Sequence, residues 1–465
     1  MSPAPQDPPL AGPFVFETAE VDGRTVSLPY RLGDGPRFVE RVELPVALVE
    51  SPESMAAVRV LHLVAGVSYY KCVAPVPLVV PVLSGAERDL VLRIYDDGLR
   101  EFAHRNGFDV PLPVDLVTDD RIEAVRWVSV PAGSGSGVGA EAPEPLRGEA
   151  LIPVGGGKDS ALVASLVPDG QLFSVNPVGA QEHLAAFMDR PLLAARRHLD
   201  PQLRDLIASG VPNGHVPVTA ITSAISVAVA VACGFHDVVM GIERSADEPT
   251  VVTADGVPVN HQFSKSSEAE TLLTAAFEPT GVRYFSLLRP MTELAIGAAV
   301  ADRGLAADIV SCNRVFTVWN DSTASREQRP CGSCAKCLFT ALMVAPTSSP
   351  EAVEERYGTA VFDRPEHVEG VRDLWSDEKP FDCVGERLES AAAMVLLGGL
   401  PEWKDQVVVQ TLGGEAAAEV EAAGVDPAAL LEMGPLDRLP DDYQAVMEDL
   451  RVDLERLAGT VRAAG

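Results

Sequence analysis

Residues 151–160, Leu-Ile-Pro-Val-Gly-Gly-Gly-Lys-Asp-Ser, set three glycines between a short apolar strand and a helix that continues through Leu162 and Leu166. Glycine lets backbone amides approach an anion closely, and a helix amino terminus adds its dipole and free N–H groups. The segment reads as an anion cradle. It is not a Walker loop, because aligning that motif's Gly-Lys pair on Gly157-Lys158 puts its leading glycine at Ile152, while Asp159 stands where Ser or Thr is required. The chain beyond it alternates: 150–154, 171–175, 237–241, 282–288 and 308–312 read as strands, with Ala-rich helical stretches between them. That alternation predicts an α/β fold with a parallel sheet, helices on both faces and ligands at the carboxyl ends of the strands.

The 465 residues suffice for two or three domains. From Pro13 to about Pro131, short apolar runs such as 58–67 and 78–83, broken by Pro and Gly, favour strands and an amino-terminal α+β domain over 1–131. Residues 132–149 contain Gly-Ser-Gly-Ser-Gly, a composition that cannot pack a core, and read as a linker. The α/β domain then covers 150–346, and 347–465 form a helical, acidic carboxyl-terminal region packed against it, notably at 414–423 and 441–458. A net charge of 37 − 67 = −30 argues against general nucleic-acid binding, which needs clustered Lys and Arg. The first sixteen residues have no basic and no apolar export region, so the cytoplasm is the expected location. Residues 214–235 lack Asp, Glu, Lys and Arg and are long enough to cross a bilayer. Their Ala, Val, Thr and Ser content, with Pro217 near the start and no Leu, instead predicts a helix buried in a globular domain and no stable membrane insertion.

Seven cysteines without an export signal argue against a disulfide framework. Cys331, Cys334 and Cys337 are spaced two residues apart, and Cys312 lies upstream at the end of a candidate strand. Turns of this spacing converge thiolates on one tetrahedral zinc of structural type; an iron–sulfur cluster, thiol redox chemistry or a metal-free set of reduced thiols are the alternatives. Cys233, Cys72 and Cys383 read first as core residues.

Three segments place polar groups where an α/β fold puts ligands: Asn213-Gly214-His215-Val216-Pro217-Val218-Thr219, Gly241-Ile242-Glu243-Arg244-Ser245-Ala246-Asp247-Glu248, and Asn260-His261-Gln262-Phe263-Ser264-Lys265-Ser266. Together with the cradle they point to one anionic ligand pocket.

The run Gly155-Gly156-Gly157-Lys158-Asp159-Ser160 resembles the Ser-Gly-Gly-x-Asp-Ser loop of the PP-loop, or N-type, ATP pyrophosphatases, with Gly155 in place of the first Ser. That resemblance implies an adenine-nucleotide α-hydrolase-like fold and ATP as cofactor. Gly155, Gly156 and Gly157 would supply backbone donors, Lys158 charge, Ser160 a hydroxyl, and Asp159 a ligand to magnesium. In matching order from about His62 to Glu386, the glycine loop, the three polar segments, Cys-Gly-Ser-Cys-Ala-Lys-Cys and the upstream Gly66-Val67-Ser68-Tyr69-Tyr70-Lys71 resemble the UDP-N-acetylmuramoyl-L-alanyl-L-glutamate epimerase family. The chain departs from the family pattern at Ile242 and Asp247, where the family carries Asn. The resemblance implies an isomerase of peptidoglycan precursor synthesis. It would invert the terminal L-Glu of the UDP-linked muramoyl dipeptide through an acyl-adenylate and release AMP and pyrophosphate. His215, Glu243, Arg244, Ser245 and Lys265 become the substrate-binding candidates. The acid/base candidates are Lys71, Tyr70, Cys72, His261 and Cys383, in no fixed order. A PP-loop ligase or thiolase adenylating a nucleobase or tRNA, and a non-catalytic nucleotide sensor, are the competing readings.

Overall fold

The computed structural model describes residues 12–128, 146, 148–312, 330–376, 379–380, 382 and 384–464. The expected linker at 132–149 lies mostly outside these residues, as does Cys383. The chain divides into two compact units, each assembled from three separate stretches. The first comprises Met1–Leu151, Leu193–Val238 and Val252–Tyr284; the second Ile152–Leu192, Val239–Val251 and Phe285–Gly465.

In the first unit the strands Phe14–Phe16, Ala19–Asp22, Thr25–Leu32 and Arg37–Glu43 follow one another closely. Thr25–Leu32 pairs antiparallel with the other three, and Leu78–Val80 joins Phe14–Phe16 in parallel. Period-two alternation puts Phe38, Glu40 and Val42 on the buried face of Arg37–Glu43. A buried Glu40 needs a partner, and Arg197, from the antiparallel neighbour Leu192–His198, gives it a two-pronged contact at 2.7 and 3.0 Å. The rings of Phe14, Phe16, Tyr30, Tyr69 and Tyr70 fill the space beneath, with centroids 5.2 to 5.8 Å apart in edge and stacked contacts.

The expected strand at 58–67 is instead the end of a helix, Pro52–Ala65. Ser51 caps it by accepting from the Ser54 amide at 3.1 Å, and Pro52 occupies its first turn, where a missing N–H costs nothing. Its apolar residues run on without a break because the helix is covered on more than one side, by the helices Gly85–Asp96 and Val218–Cys233. The charge-free stretch is the helix Val218–Cys233, buried from Ala220 to Ala230 apart from Thr222, with Ser223 bonded to the Tyr284 hydroxyl at 2.8 Å. Among the described residues, no helix is long and apolar enough to cross a membrane.

Four of the five expected α/β strands form, as Ala150–Pro153, Gln171–Val175, Asp237–Met240 and Arg283–Ser286, and Asp237–Met240 runs parallel to Ala150–Pro153. The fifth, 308–312, has no regular structure. Its Val310 amide donates to the Gly156 carbonyl at 2.7 Å, a loop-to-loop bond in place of a ladder. The second unit is otherwise helical, and the carboxyl-terminal region follows expectation with Arg387–Gly399, Val407–Ala423 and Asp441–Ala464.

The helix Glu293–Asp302 is the hub of the second unit, packing against Lys158–Leu166, Ala335–Val344 and Asp441–Ala464. A Cβ on Gly297 would lie 2.3 Å from the Met343 carbonyl oxygen. Gly297→Ala is therefore expected to cost about 1–3 kcal/mol. Gly414→Ala, on an exposed helical site with nothing within 4 Å, should gain about 0.5–1 kcal/mol. Denaturant unfolding of the two variants reads these opposite signs.

Candidate active site

The glycine loop closes the strand Ala150–Pro153 and opens the helix Lys158–Leu166 within the second unit. Gly156 has φ +82°, and a Cβ there would meet Ala180 atoms at 2.9 Å, so glycine is required on both conformational and steric grounds. Gly157 is the extended N-cap residue. The Gly155 amide donates to Ser160 Oγ at 3.3 Å, and Ser160 donates to the Gly157 carbonyl at 3.2 Å, which folds the turn back on the helix start. Gly241 lets the chain pass the start of that helix: a Cβ would lie 3.1 Å from the Asp159 carbonyl oxygen.

Lys158 does not point to solvent. Its ammonium is buried and ion-paired with the carboxylates of Asp159 and Glu293. Burial alone would lower its pKa, but Asp159, Glu293 and Glu243 together hold it well above the usual lysine range. Burial raises the Glu293 carboxyl well above its ordinary value; Lys158 opposes this, while Glu243 and Asp159 reinforce it. One oxygen or more from each of Asp159, Glu243 and Glu293 falls within 4.8 Å of the others. The three carboxyl groups bring hard oxygen donors together beside one ammonium, a donor set that suits a magnesium-sized cation. Sequence reasoning found Asp159 and Glu243 but missed Glu293, whose only local signal is its place after Thr292, the N-cap of Glu293–Asp302.

Of the Glu243–Ser245 segment, Glu243 is buried, Arg244 is exposed and Ser245 is buried. The Ser245 hydroxyl donates to the carboxylate of Glu389, which also accepts from the Leu294 amide at 3.0 Å. Burial, reinforced by nearby Glu386, pushes Glu389 up to about 8. Ser245 thus has an internal hydrogen-bond partner. At Ile242, the first departure from the family pattern, the backbone amide donates to Ser286 Oγ at 2.7 Å and the side chain is buried.

The structure brings the four predicted thiols together. The Sγ atoms of Cys312, Cys331, Cys334 and Cys337 all lie within 4.8 Å of one another, with Cys331 and Cys337 at 3.8 Å. Gly332, at φ +70°, turns the chain between the first two members of the triplet. Cys334 immediately precedes the helix Ala335–Val344, whose first turn carries Cys337. Four convergent sulfurs are the donor set of a closed tetrahedral zinc site.

The first unit holds a second polar cluster. Lys71 is buried, and its ammonium donates to Asn213 Oδ1 at 2.6 Å and to the Gly214 carbonyl at 3.1 Å. Burial lowers its pKa; the Cys72 thiol opposes this and Arg197 adds to it. The neighbouring His215 ring lies 4.3 Å from that of His261, and His261 is bonded to Glu101. Lys265 donates to Gln262 at 3.2 Å on the same loop. Tyr70 stands apart from this cluster: its ring is in the aromatic core, its hydroxyl donates to the Val76 carbonyl at 3.3 Å, and burial pushes its pKa up to about 12. Cys72 is buried, with its thiol pushed up to about 11 by desolvation.

The MurL N-terminal domain is matched over residues 6–287 and the MurL C-terminal domain over residues 308–426. A UDP-N-acetyl-alpha-D-muramoyl-L-alanyl-L-glutamate epimerase of Salinispora tropica is 40% identical over 392 residues, covering 81% of each chain. One of the same name from a Micromonospora species is 40% identical over 394 residues, 81% of this chain and 83% of its own. A third, from Xanthomonas oryzae pv. oryzae, is 32% identical over 447 residues, 92% of this chain and 95% of its own. No solved structure matches the chain. With both domains matched in order and the identity spread over most of its length, the chain belongs to the UDP-N-acetyl-alpha-D-muramoyl-L-alanyl-L-glutamate epimerase family.

Proposed function

We propose that this chain is a cytoplasmic epimerase that inverts the terminal L-Glu of UDP-N-acetylmuramoyl-L-Ala-L-Glu to D-Glu, with ATP consumed to AMP and pyrophosphate. A free carboxylate resists loss of the adjacent Cα proton, because the carbanion would place a second negative charge beside the first. Converting the carboxylate to an acyl-adenylate removes that charge and makes the carbonyl an electron sink, after which side-chain bases can exchange the proton. Hydrolysis then releases AMP.

The observation that carries this reading, in a chain of this family, is the Gly155–Gly156–Gly157 turn at a helix start beside Lys158 and three converging carboxylates. In a PP-loop arrangement its amides and Ser160 would hold the pyrophosphate portion of ATP. Asp159, Glu243 and Glu293 would hold magnesium, which neutralises phosphate charge when bound. Lys71 and His261 are the proton-transfer groups in this reading, and His215, Lys265 and the exposed Arg244 bind anionic parts of the ligands. Incubating the full chain with the UDP-linked dipeptide, ATP and magnesium should yield D-Glu, AMP and pyrophosphate in step. ATP turnover with the glutamyl residue remaining L would sink the epimerase reading.

Cys312, Cys331, Cys334 and Cys337 are proposed to hold one structural zinc, which pins the start of Ala335–Val344 to the segment carrying Cys312. Metal analysis of freshly purified protein should find about one zinc per chain. Its removal by a chelator should lower the melting temperature. Metal-free protein with four freely reactive thiols and an unchanged melting temperature would exclude it.

A further inference from the structure

Residues 308–312, which form no strand, run from the glycine loop to the thiol cluster within the second unit. Asp308 Oδ1 lies 3.1 Å from His183 Nε2, on the helix Gly179–Phe187, whose Ala180 packs against Gly156. Two residues on, the Val310 amide donates to the Gly156 carbonyl at 2.7 Å. Ser311 follows, with its Oγ 3.0 Å from the place a Cβ on Gly157 would take. The next residue is the buried Cys312, whose Sγ belongs to the group of four sulfurs.

The Val310 bond fixes a part of the loop that glycine leaves pliable. With no Cβ, Gly156 can exchange its positive φ for other values at little cost, so its shape depends on what holds the carbonyl that follows. The peptide joining Gly156 to Gly157 is planar and trans, and its C=O and N–H point in opposite directions. A Gly156 carbonyl held by Val310 therefore aims the Gly157 N–H away from residues 308–312. When that bond is lost the peptide can turn over and take the amide with it. Gly157 directly precedes the helix Lys158–Leu166, where N–H groups and the helix dipole favour an anion.

We propose that residues 308–312 are a brace through which the cluster of Cys312, Cys331, Cys334 and Cys337 holds the glycine loop in its anion-binding shape, so that zinc at the thiols and ATP at the loop strengthen each other's binding. The proposal deepens the ATP and zinc readings given above and rests on both. Zinc ties Cys312 to the start of Ala335–Val344 and so restricts the positions open to Val310. Without it the Cys312 end is released, and Val310 samples positions from which it does not reach Gly156.

Linkage sets the test: whatever factor zinc adds to nucleotide affinity, nucleotide must add to zinc affinity. Zinc retention by the full chain is titrated against a chromophoric chelator, with and without the magnesium complex of an ATP analogue blocked at the α–β bridge. Calorimetry measures binding of the same analogue to zinc-loaded and zinc-depleted chain. The two factors should agree, at about ten or more. Val310→Pro removes the amide that reaches Gly156 while keeping all four thiols; it should hold zinc but bring both factors close to one. Val310→Ala keeps the amide and should retain the coupling even where it lowers the melting temperature. A zinc that merely keeps the unit folded would leave the coupling unchanged in Val310→Pro. A wild-type chain that holds no zinc, or a zinc-loaded one that does not bind the analogue, would defeat the underlying readings and the brace with them. A wild-type chain that binds both with no mutual effect overturns the brace alone, as does a folded Val310→Pro variant that keeps the coupling or a folded Val310→Ala variant that loses it. If Val310→Pro does not fold, the two wild-type factors decide the matter.

Discussion

In deuterated water, the terminal glutamyl Cα of the UDP-linked dipeptide is expected to acquire deuterium only when ATP and magnesium are both present. The expectation follows from charge: with the carboxylate free, deprotonation builds a dianion, whereas an acyl-adenylate has lost that carboxylate charge. The first unit offers Lys71 and Lys265 near His215, whereas the second unit's Lys158 is already committed to Asp159 and Glu293. Omitting ATP should slow exchange by at least about a thousandfold, or about 4 kcal/mol in the barrier. An ATP analogue blocked at the α–β bridge should leave Cα protiated, because no acyl-adenylate can form. Exchange at full rate without ATP would show that Cα is acidified by other means and would overturn adenylation as the first step, whatever the glycine loop binds.

Asp159→Ala is expected to abolish pyrophosphate release in the presence of substrate, by about 10²–10³ or more, while the protein stays folded. Asp159 lies in the first turn of the helix after the glycine turn, is only partly buried, and contributes one of the three converging carboxylates. Its removal leaves Lys158 paired with Glu293, so no buried charge is orphaned. Lys158→Ala is the informative contrast. It leaves Glu293 and Glu243 buried without their ammonium and should cost stability as well as turnover, about 3–5 kcal/mol. Pyrophosphate release measured beside denaturant unfolding separates the two effects. A folded Asp159→Ala variant with unchanged turnover would remove the loop from the chemistry.

Features set by neighbours in the chain were legible from sequence. Three glycines before Lys158 specify a turn, because Gly156 needs a positive φ and close contact with Ala180. The two-residue spacing of Cys331, Cys334 and Cys337 brings thiols together by local geometry, and short apolar runs marked the strands Gln171–Val175 and Asp237–Met240. Apolar continuity alone could not separate strand from buried helix at 58–67, since a helix covered on several sides shows no polar stripe. Expectation also failed at 308–312, where Val310 bonds to Gly156 across the fold.

The partners that complete each site lie far away in sequence. Glu293 reaches Lys158 across more than a hundred intervening residues, and Glu101 reaches His261 across a comparable span. The two units are likewise stitched from three stretches each. Backbone propensity, turn chemistry and ligand spacing act over a few residues and are written locally. The pairing of a buried charge depends on which distant carboxylate the folded chain brings within about 3 Å, and only tertiary packing decides that.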